Sequence, residues 1–203
     1  MKSLSEIETT SKRASKAAGY SWGISEEIGK NIRLLEMFGL QGIKSLINYY
    51  NIKKEKKFEN LKLVKKENKI EKYQFCPIIS GMSFLDQIKS LESLGEIKFE
   101  KIAYPLLFLP FASRASEIIG KRLLLKLDNN ELLLNFNISI YSNLIKKDII
   151  EIASLVSVKF LENLDSFLEN EWNQLYKLSE DTFVEENESL KKGAAGAGLT
   201  DND

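Results

Sequence analysis

The chain has 203 residues, of which 43% are hydrophobic and 29% charged, which fits a globular protein that can bury a core. It contains no histidine and a single cysteine, which excludes an imidazole base, a histidine or cysteine-cluster metal site and an internal disulfide within this sequence. The 29 basic and 29 acidic side chains cancel, so the overall charge predicts neither nucleic-acid binding nor membrane binding.

Three short helices are predicted over the first fifty residues. Ser3 and Glu6 have the spacing of a capping box, and the helix that they begin should end at Gly19. Its apolar positions are Leu4, Ile7, Ala14 and Ala18. A second helix should begin after Ser21 and end at Gly39. Its apolar stripe consists of Ile24, Ile28, Ile32, Leu35 and Phe38. The apolar face of a third helix is formed by Ile43, Leu46, Ile47 and Tyr50.

The middle of the chain predicts a mixture of strands and helices. Residues 53–72 are rich in lysine and lack a clean period, which indicates an exposed linker or an edge hairpin. A helix is predicted over residues 83–94, and it should end at Gly95. Two strands should follow, over residues 97–103 and 106–109.

The second half of the chain carries the clearest strand pattern. Alternating apolar residues in 123–127 and 132–140 flank a turn at 128–130, which predicts a β-hairpin. A helix is then predicted over 145–153 and a strand over 156–160. The stripe of a final helix is formed by Leu164, Phe167, Leu168, Trp172 and Leu175. Together these elements predict an α+β fold, with an N-terminal three-helix segment packed with an antiparallel-rich sheet and a C-terminal helix.

We predict one domain over residues 1–203. Its parts are a helical segment (1–52), the lysine-rich linker or edge hairpin (53–72), a region of mixed sheet and helices (73–178) and a tail (179–203) that is acidic and then rich in glycine and alanine. The first residues carry no apolar run, and the longest such run, 104–112, is far shorter than the roughly 20 residues of a membrane span. A cytoplasmic location is therefore expected.

Charge is distributed unevenly along the chain. Residues 53–72 contain nine lysines and four glutamates, whereas residues 162–188 contain nine acidic residues and one lysine. These segments are either two solvated faces or two surfaces that attract each other. Because two-fold dimers are the commonest assembly, we expect a homodimer.

Three charged residues are candidates for a site. Glu26 and Glu27 follow the joint between the first two helices, and either could serve as a general base if it were buried. The alternative is that both only complement the dipole of the second helix. Arg114 follows the predicted strand 106–109, and its planar guanidinium suits a carboxylate or a phosphate. A structural salt bridge, for example to Glu117, is the alternative.

Uncharged residues add further candidates. Ser21 and Trp22 lie at the same helix joint and are candidate ligand-binding residues, although Trp22 could equally be a core anchor. Cys76 precedes Pro77 in a turn-like entry to a helix, where a thiol is either reactive or simply buried.

The end of the chain combines small residues with charge. Glycines and alanines in residues 193–198 precede Asp201 and Asp203, which could bind a ligand or a hard cation if the segment were ordered. A disordered tail is the alternative. No P-loop or dinucleotide fingerprint is present, and we expect no cofactor and no metal.

Four segments carry a resemblance to a known family. They are the opening Ser3-Leu4-Ser5-Glu6-Ile7-Glu8, the joint from Ala17 to Glu27, the segment from Leu109 to Ala115 and the end from Gly196 to Asp203. Together they resemble an uncharacterised bacterial domain family of unknown function over essentially the whole chain. The resemblance implies no chemistry, but it implies that the end of the chain is a family feature.

A second, fainter similarity relates the first fifty residues to the malate/L-lactate dehydrogenase-like family, which also has an alanine-glycine joint. Where that family carries Asp-Ser-His-Gly, this chain has Gly39-Leu40-Gln41-Gly42. The catalysis of that family is therefore not implied.

The function that these observations favour is binding of a small anionic metabolite, or assistance to a metabolic enzyme, without covalent chemistry. A second hypothesis is an enzyme that uses Glu26 or Glu27 as its base and Arg114 as its substrate anchor. A third is a structural partner protein, which would present a large apolar surface. Neither nucleic acid nor membrane is expected as a partner.

Overall fold

The computed structural model describes residues 2–144, 149–180 and 182. The chain divides into two compact units, the first ending at Asn163 and the second beginning at Leu164. Helices and a mixed sheet in the first unit and a helix in the second confirm the α+β class. That the whole chain is one domain stays a prediction.

The three predicted N-terminal helices are confirmed. Helix α1 spans Leu4–Ala17, α2 spans Trp22–Met37 and α3 spans Gly42–Lys53. Ser3 begins α1 with the predicted capping box, and the hydroxyl of Ser21 begins α2 by accepting a hydrogen bond from the third N–H of the helix. The local cap signals therefore set both helix starts correctly.

Helix α1 packs on α2 through small side chains. Its buried residues are Ser11 and Ser15, and Ala14 of the predicted apolar stripe is exposed. A Cβ atom at Gly29 of α2 would lie 2.7 Å from the backbone oxygen of Glu8, so the missing side chain lets the two backbones approach closely. The hydroxyl of Ser15 donates to the carbonyl of Ser11, which satisfies this buried polar group.

The lysine-rich segment runs along one edge of the sheet. Strand β1, Glu67–Asn68, pairs in parallel with strand β2, Glu96–Ala103. The two strands of a hairpin pair antiparallel, so the parallel pairing of β1 does not fit the edge hairpin, which was one of the two alternatives for this segment. The carboxylate of Glu59 accepts hydrogen bonds from the backbone N–H groups of residues 71–73, which fixes the loop beyond β1.

The helix predicted over 83–94 begins earlier and is interrupted. Helix α4 spans Pro77–Asp86, α5 spans Ile88–Leu91, and a 3₁₀ turn covers Glu92–Leu94. Proline suits the first helical position because the N–H that it lacks would have no partner there. The preceding Cys76 caps α4, with its sulfur accepting a hydrogen bond at 3.5 Å from the backbone nitrogen of Ile79, the third residue of the helix.

Strand β2 is confirmed, but the strand predicted over 106–109 is wrong. Tyr104 adopts a left-handed backbone (φ 43°) that turns the chain out of the sheet. A 3₁₀ turn, Pro105–Leu107, follows, and helix α6 spans Leu109–Ile119 with proline again in its first turn. A short apolar run fits a buried helix as well as a strand, and here the prolines favour the helix. Arg114 consequently lies within a helix.

The predicted hairpin is confirmed and extended by one strand. Strands β3, Leu123–Leu127, and β4, Asn130–Asn135, pair antiparallel across a tight turn. The run predicted to continue to Ile140 is broken at Phe136 and Asn137, whose φ angles are 51° and 60°. A third strand, β5, Ser139–Ser142, therefore returns along β4.

The final strand corrects another helix prediction. Strand β6, Ile152–Phe160, confirms the predicted strand and also contains the last two residues of the helix predicted over 145–153. Residues 149–151 are not helical, and residues 145–148 lie outside the described part of the chain. Pairing with β2 on one side and β3 on the other favours the strand.

The sheet has the order β1-β2-β6-β3-β4-β5, and every neighbouring pair except β1 and β2 is antiparallel. Buried and partly buried side chains alternate along β3 and β4, and both strands contact α6.

Phe84 of α4, Phe99 of β2 and Phe108 before α6 form an aromatic cluster with ring centres 5.2 to 6.2 Å apart. The core of the first unit thus lies between the sheet and these helices.

The second unit contains the predicted C-terminal helix. Helix α7 spans Glu169–Glu180, and none of its residues is buried. It contains Trp172 and Leu175 of the predicted stripe, which are 47% and 61% exposed, whereas Leu164, Phe167 and Leu168 precede the helix. Among the described residues, no helix combines the length and the apolar character that crossing a membrane requires.

The contact between α4 and α6 leads to a stability prediction. A Cβ atom at Gly81 of α4 would lie 2.7 Å from Cγ of the buried Phe111 in α6. Alanine favours a helix over glycine by about 1 kcal/mol, but overpacking a core costs about 1 to 3 kcal/mol and occasionally more. We expect Gly81→Ala to lower the free energy of unfolding by up to about 2 kcal/mol in urea titrations.

Gly23→Ala is the matched control, because a Cβ atom at this position of α2 meets no neighbour within 4 Å. It should leave the stability unchanged or raise it. Equal stability of the two variants would contradict the close contact at Gly81.

Candidate functional site

Arg114 connects α6 to α2. Its Nη1 donates a hydrogen bond to the carboxylate of Glu27, and both side chains are about three-quarters buried. The guanidinium also lies 5.4 Å from the centre of the Phe111 ring. The salt bridge expected as one alternative for Arg114 therefore exists, but with Glu27 and not with Glu117.

Two of the three nitrogens of this guanidinium make no hydrogen bond to a described residue. Nε and Nη2 of Arg114 are buried, and neither has a hydrogen-bond partner among the described residues. These two nitrogens lie on the same edge of the guanidinium, the edge that binds both oxygens of a carboxylate. A buried donor without a partner costs about 1 to 3 kcal/mol, so an oxyanion or a water molecule here would be stabilising.

A cavity of about 210 Å³, which we call the arginine cavity, adjoins this group. Its polar lining includes Lys30, Asn31, Arg33, Arg114 and Asn137. Asn31 of α2, which is 4% exposed, is the most buried polar residue of α2 in this lining. The cavity thus combines three cations with the side-chain amides of two asparagines.

Asn137 is held at this cavity by its neighbours. Its Oδ1 accepts a hydrogen bond from the buried hydroxyl of Ser113 at 2.9 Å, and its Nδ2 donates to Glu117 at 3.3 Å. The left-handed backbone at Asn137, which asparagine tolerates better than most residues, places it between β4 and β5. The turn of this second hairpin therefore supplies part of the cavity wall.

Ion pairs compensate the cations around the arginine cavity. Lys30 Nζ lies 3.0 Å from Glu27, and Arg33 Nη1 lies 3.1 Å from Glu8. Burial raises the pKa of Glu27, but hydrogen bonds from Arg114 and Lys30 outweigh burial and hold the pKa below its ordinary value. Glu27 is consequently ionised at neutral pH.

Glu26 lies on the exposed side of the same turn. Its carboxylate accepts a hydrogen bond from Lys12 at 3.1 Å and lies 3.6 Å from Lys30. The hydrogen bond from Lys12 and the charges of both lysines lower the pKa of Glu26. A general base needs a pKa near the working pH, so neither glutamate has the environment of one.

A second cavity, of about 440 Å³, lies at the joint between α1 and α2, and we call it the lysine cavity. Its charged lining residues are Lys53, Lys56 and Lys57, and no carboxylate from the described part of the chain lines it. Lys53 Nζ donates to the carbonyl of Ala18 and lies 4.4 Å from the centre of the Tyr20 ring. The exposed Lys56 and Lys57 form no ion pair with a described residue.

The floor of the lysine cavity is a cluster of buried polar groups. Tyr49 Oη lies 3.0 Å from Cys76 Sγ and 3.4 Å from Tyr20 Oη, and the third side of this triangle measures 3.9 Å. Burial raises the pKa of both phenols, so they stay protonated and can donate hydrogen bonds. Cys76 is buried, as one of its two interpretations expects.

The structure separates the candidates that the sequence placed together. Ser21 lines the lysine cavity, whereas Arg114 lines the arginine cavity and contacts Glu27. Trp22 is 58% exposed with Lys16 above its ring, so it is not a core anchor, and it lines neither cavity. The candidates Asp201 and Asp203 lie outside the described residues.

Sequence analysis missed several residues of both cavities. Asn31 looked like a polar position on a helix, and Tyr49 lay outside the predicted stripe of α3. Asn137 appeared to continue a strand. Neutral polar residues of this kind carry no local signal, because only long-range packing decides which of them become buried. Among the described residues, no group of three potential metal ligands comes together.

The ion pair of Glu27 leads to a pH-dependent prediction. The Glu27→Gln variant should lose about 1 to 2 kcal/mol of unfolding free energy at pH 7, because Arg114 keeps a partly buried charge without its anion. A glutamate whose pKa is lowered by folding stabilises the fold fully above its unfolded pKa of about 4.3, and this stabilisation disappears as the pH falls through its folded pKa. The stability gap between wild type and variant should therefore close in urea titrations as the pH falls from 7 to 3.

Glu26→Gln provides the comparison on the same helical turn. Because Glu26 is exposed, its substitution should have a smaller effect, and high salt should remove that effect. A gap for Glu27→Gln that stays constant between pH 7 and pH 3 would contradict the assignment.

Comparisons with curated proteins and with solved structures give no match for this chain. None of the comparisons supports the similarity to the malate/L-lactate dehydrogenase-like family. The expected uncharacterised family is supported over the N-terminal part of the chain, and the resemblance beyond that part stays a prediction. Residues 2–74 match the model of DUF3726, a protein family of unknown function.

Proposed function

We propose that the protein binds a small organic anion in the arginine cavity. The observation that carries this proposal is the unpartnered edge of Arg114, where two buried N–H donors have no acceptor among the described residues. A carboxylate matches this edge with two parallel hydrogen bonds, which are about twice as strong as those between neutral groups.

The rest of the cavity supports an organic anion over a bare inorganic one. Leu34 and Met37 line it beside the polar groups, so an apolar part of the ligand would find contacts there. Asn31 offers an amide that could hydrogen-bond a second polar group of the ligand. Lys30 and Arg33 keep the local potential favourable for an anion, although glutamates compensate part of their charge.

The alternative of a carboxylate-based enzyme receives less support. Its proposed base, Glu27, is the ion-pair partner of its proposed anchor, Arg114. The lowered pKa of Glu27 also makes it a weak base at neutral pH. The alternative of a structural partner protein would rest on the exposed apolar stripe of α7.

We also propose that the protein is cytoplasmic and forms a homodimer. A single unpaired cysteine fits a reducing compartment, which supports a cytoplasmic location, and the family resemblance supports a bacterial source. The basic segment 53–72 of one copy and the acidic segment 162–188 of another would attract each other in a homodimer. We propose neither a cofactor nor nucleic acid as a partner.

Ligand binding at Arg114 is testable by thermal shift with a panel of short carboxylates, such as butyrate, succinate and 2-hydroxybutyrate. A ligand at 100 times its dissociation constant should add about 2.7 kcal/mol of stability. Arg114→Lys keeps the charge that pairs with Glu27 but loses the two parallel N–H donors of the guanidinium. The affinity for the best ligand should therefore fall at least tenfold.

Arg13→Lys is the matched control, since this exposed arginine of α1 lines neither cavity. It should bind like wild type. The proposal would be wrong if no carboxylate raised the melting temperature, or if both variants responded equally.

The homodimer is testable by light scattering at low and high salt. Attraction between the charged segments predicts a dimer mass at low salt that shifts toward the monomer at high salt, because salt screens exposed charges. A monomer mass at every concentration and both salt conditions would exclude the dimer.

A further inference from the structure

The lysine cavity is independent of the proposed carboxylate site. Of its lining residues, only Cys76 and Ile79 lie outside the segment 2–74 that matches the family, whereas the arginine cavity depends on Arg114 and Asn137 from the later part of the chain. The family segment therefore builds nearly all of this cavity by itself.

The lining of this cavity carries positive charge. Among the described residues, its three lysines meet no carboxylate in the lining, in contrast to the arginine cavity, where Glu8 is part of the wall. Three ammonium groups around one cavity create a positive potential that a dianion neutralises better than a monoanion. A phosphate monoester carries about 1.5 to 2 negative charges at pH 7, and lysine binds phosphate as a point charge.

Hydrogen-bond donors in the cavity point to the same class of ligand. The hydroxyl of Ser21 accepts from the N–H of Ile24, which leaves its own proton free to donate. The hydroxyl of Tyr20 has only long contacts, 3.4 Å to Tyr49 and 3.9 Å to Cys76, so it too can donate to a ligand oxygen.

The cavity also offers an apolar wall. Ile24, Phe58 and Ile79 line it, and the Phe58 ring packs 5.2 Å from that of Tyr49. An aromatic or aliphatic body attached to the phosphate would bury apolar area against these side chains.

We propose that the lysine cavity is a second binding site, which takes an organic phosphate. The lysines at its rim hold the phosphate, the hydroxyls of Tyr20 and Ser21 donate to its oxygens, and the apolar wall contacts the organic part. This inference does not rest on the proposed carboxylate site.

Calorimetric titration with phenyl phosphate tests the proposal, with benzoate and inorganic phosphate as reference ligands. Phenyl phosphate should bind the full chain saturably with one site per chain. In the Arg114→Lys variant, where the proposed carboxylate site is weakened, it should bind at least tenfold tighter than benzoate, because benzoate has the ring but only one charge. Inorganic phosphate should compete with phenyl phosphate at higher concentration, because it has the charge without the ring.

Two pairs of substitutions separate this site from a general effect of positive charge. Lys56→Gln combined with Lys57→Gln should weaken phenyl phosphate at least tenfold. The neighbouring cavity of about 570 Å³ shares Lys56 and Lys57 with the lysine cavity, but Lys72 and Lys101 line only the neighbouring one. Lys72→Gln combined with Lys101→Gln removes the same amount of charge there and should change the affinity less than threefold. These lysines are exposed, so all variants should fold, as circular dichroism would verify.

The Arg114→Lys variant keeps the two proposals distinguishable. It should bind phenyl phosphate as wild type does, whatever its response to carboxylates. The lysine-cavity site would be overturned by equal losses in both lysine pairs, by loss of phenyl phosphate binding in Arg114→Lys, or by the absence of saturable binding to wild type.

Discussion

The close contact between α1 and α2 determines where both cavities lie. Because Gly29 has no side chain, the backbone of Glu8 lies directly against it. This contact brings the Glu8 carboxylate to Arg33 and makes α1 one wall of the arginine cavity. The turn that joins the two helices then carries Tyr20 into the lining of the lysine cavity. A larger residue at position 29 would separate the helices and alter both sites.

The two cavities use positive charge in different ways. In the arginine cavity each cation already has a carboxylate, so what is available there is directional hydrogen bonding from the unused edge of Arg114. In the lysine cavity no carboxylate of the described residues lines the wall, and each lysine ammonium acts as a point charge without the fixed geometry of a guanidinium. These differences match a planar carboxylate in the first case and a phosphate in the second.

Buried polar groups position both sites. Ser113 holds Asn137, and through it the turn between β4 and β5, beside Arg114. The Tyr49 hydroxyl contacts Cys76 at the start of α4, which connects the N-terminal helices to the rest of the first unit. Such contacts add little net stability, but breaking one leaves a costly unpaired group, so each favours a single arrangement.

Local sequence signals were sufficient for the elements whose ends are set by neighbouring residues. The capping box at Ser3, the cap at Ser21 and the alternation along β3 each depend on side chains within a few positions, and all three predictions are confirmed. The α+β class followed from these elements. The short apolar run at 106–109 misled the prediction because the same residues fit a helix or a strand. The helical spacing assigned to 145–153 likewise did not exclude the strand that begins at Ile152.

The sequence by itself determined which charged and polar residues were available, and the tertiary structure decided which of them meet. Glu27 and Arg114 were both singled out from the sequence, but they are 87 positions apart, and their pairing required α6 to lie beside α2. Asn31 and Tyr49 became part of the cavities only because neighbouring helices covered them. Hydrogen bonds and ion pairs act over a few ångströms, so long-range packing, which no local pattern encodes, selects their partners.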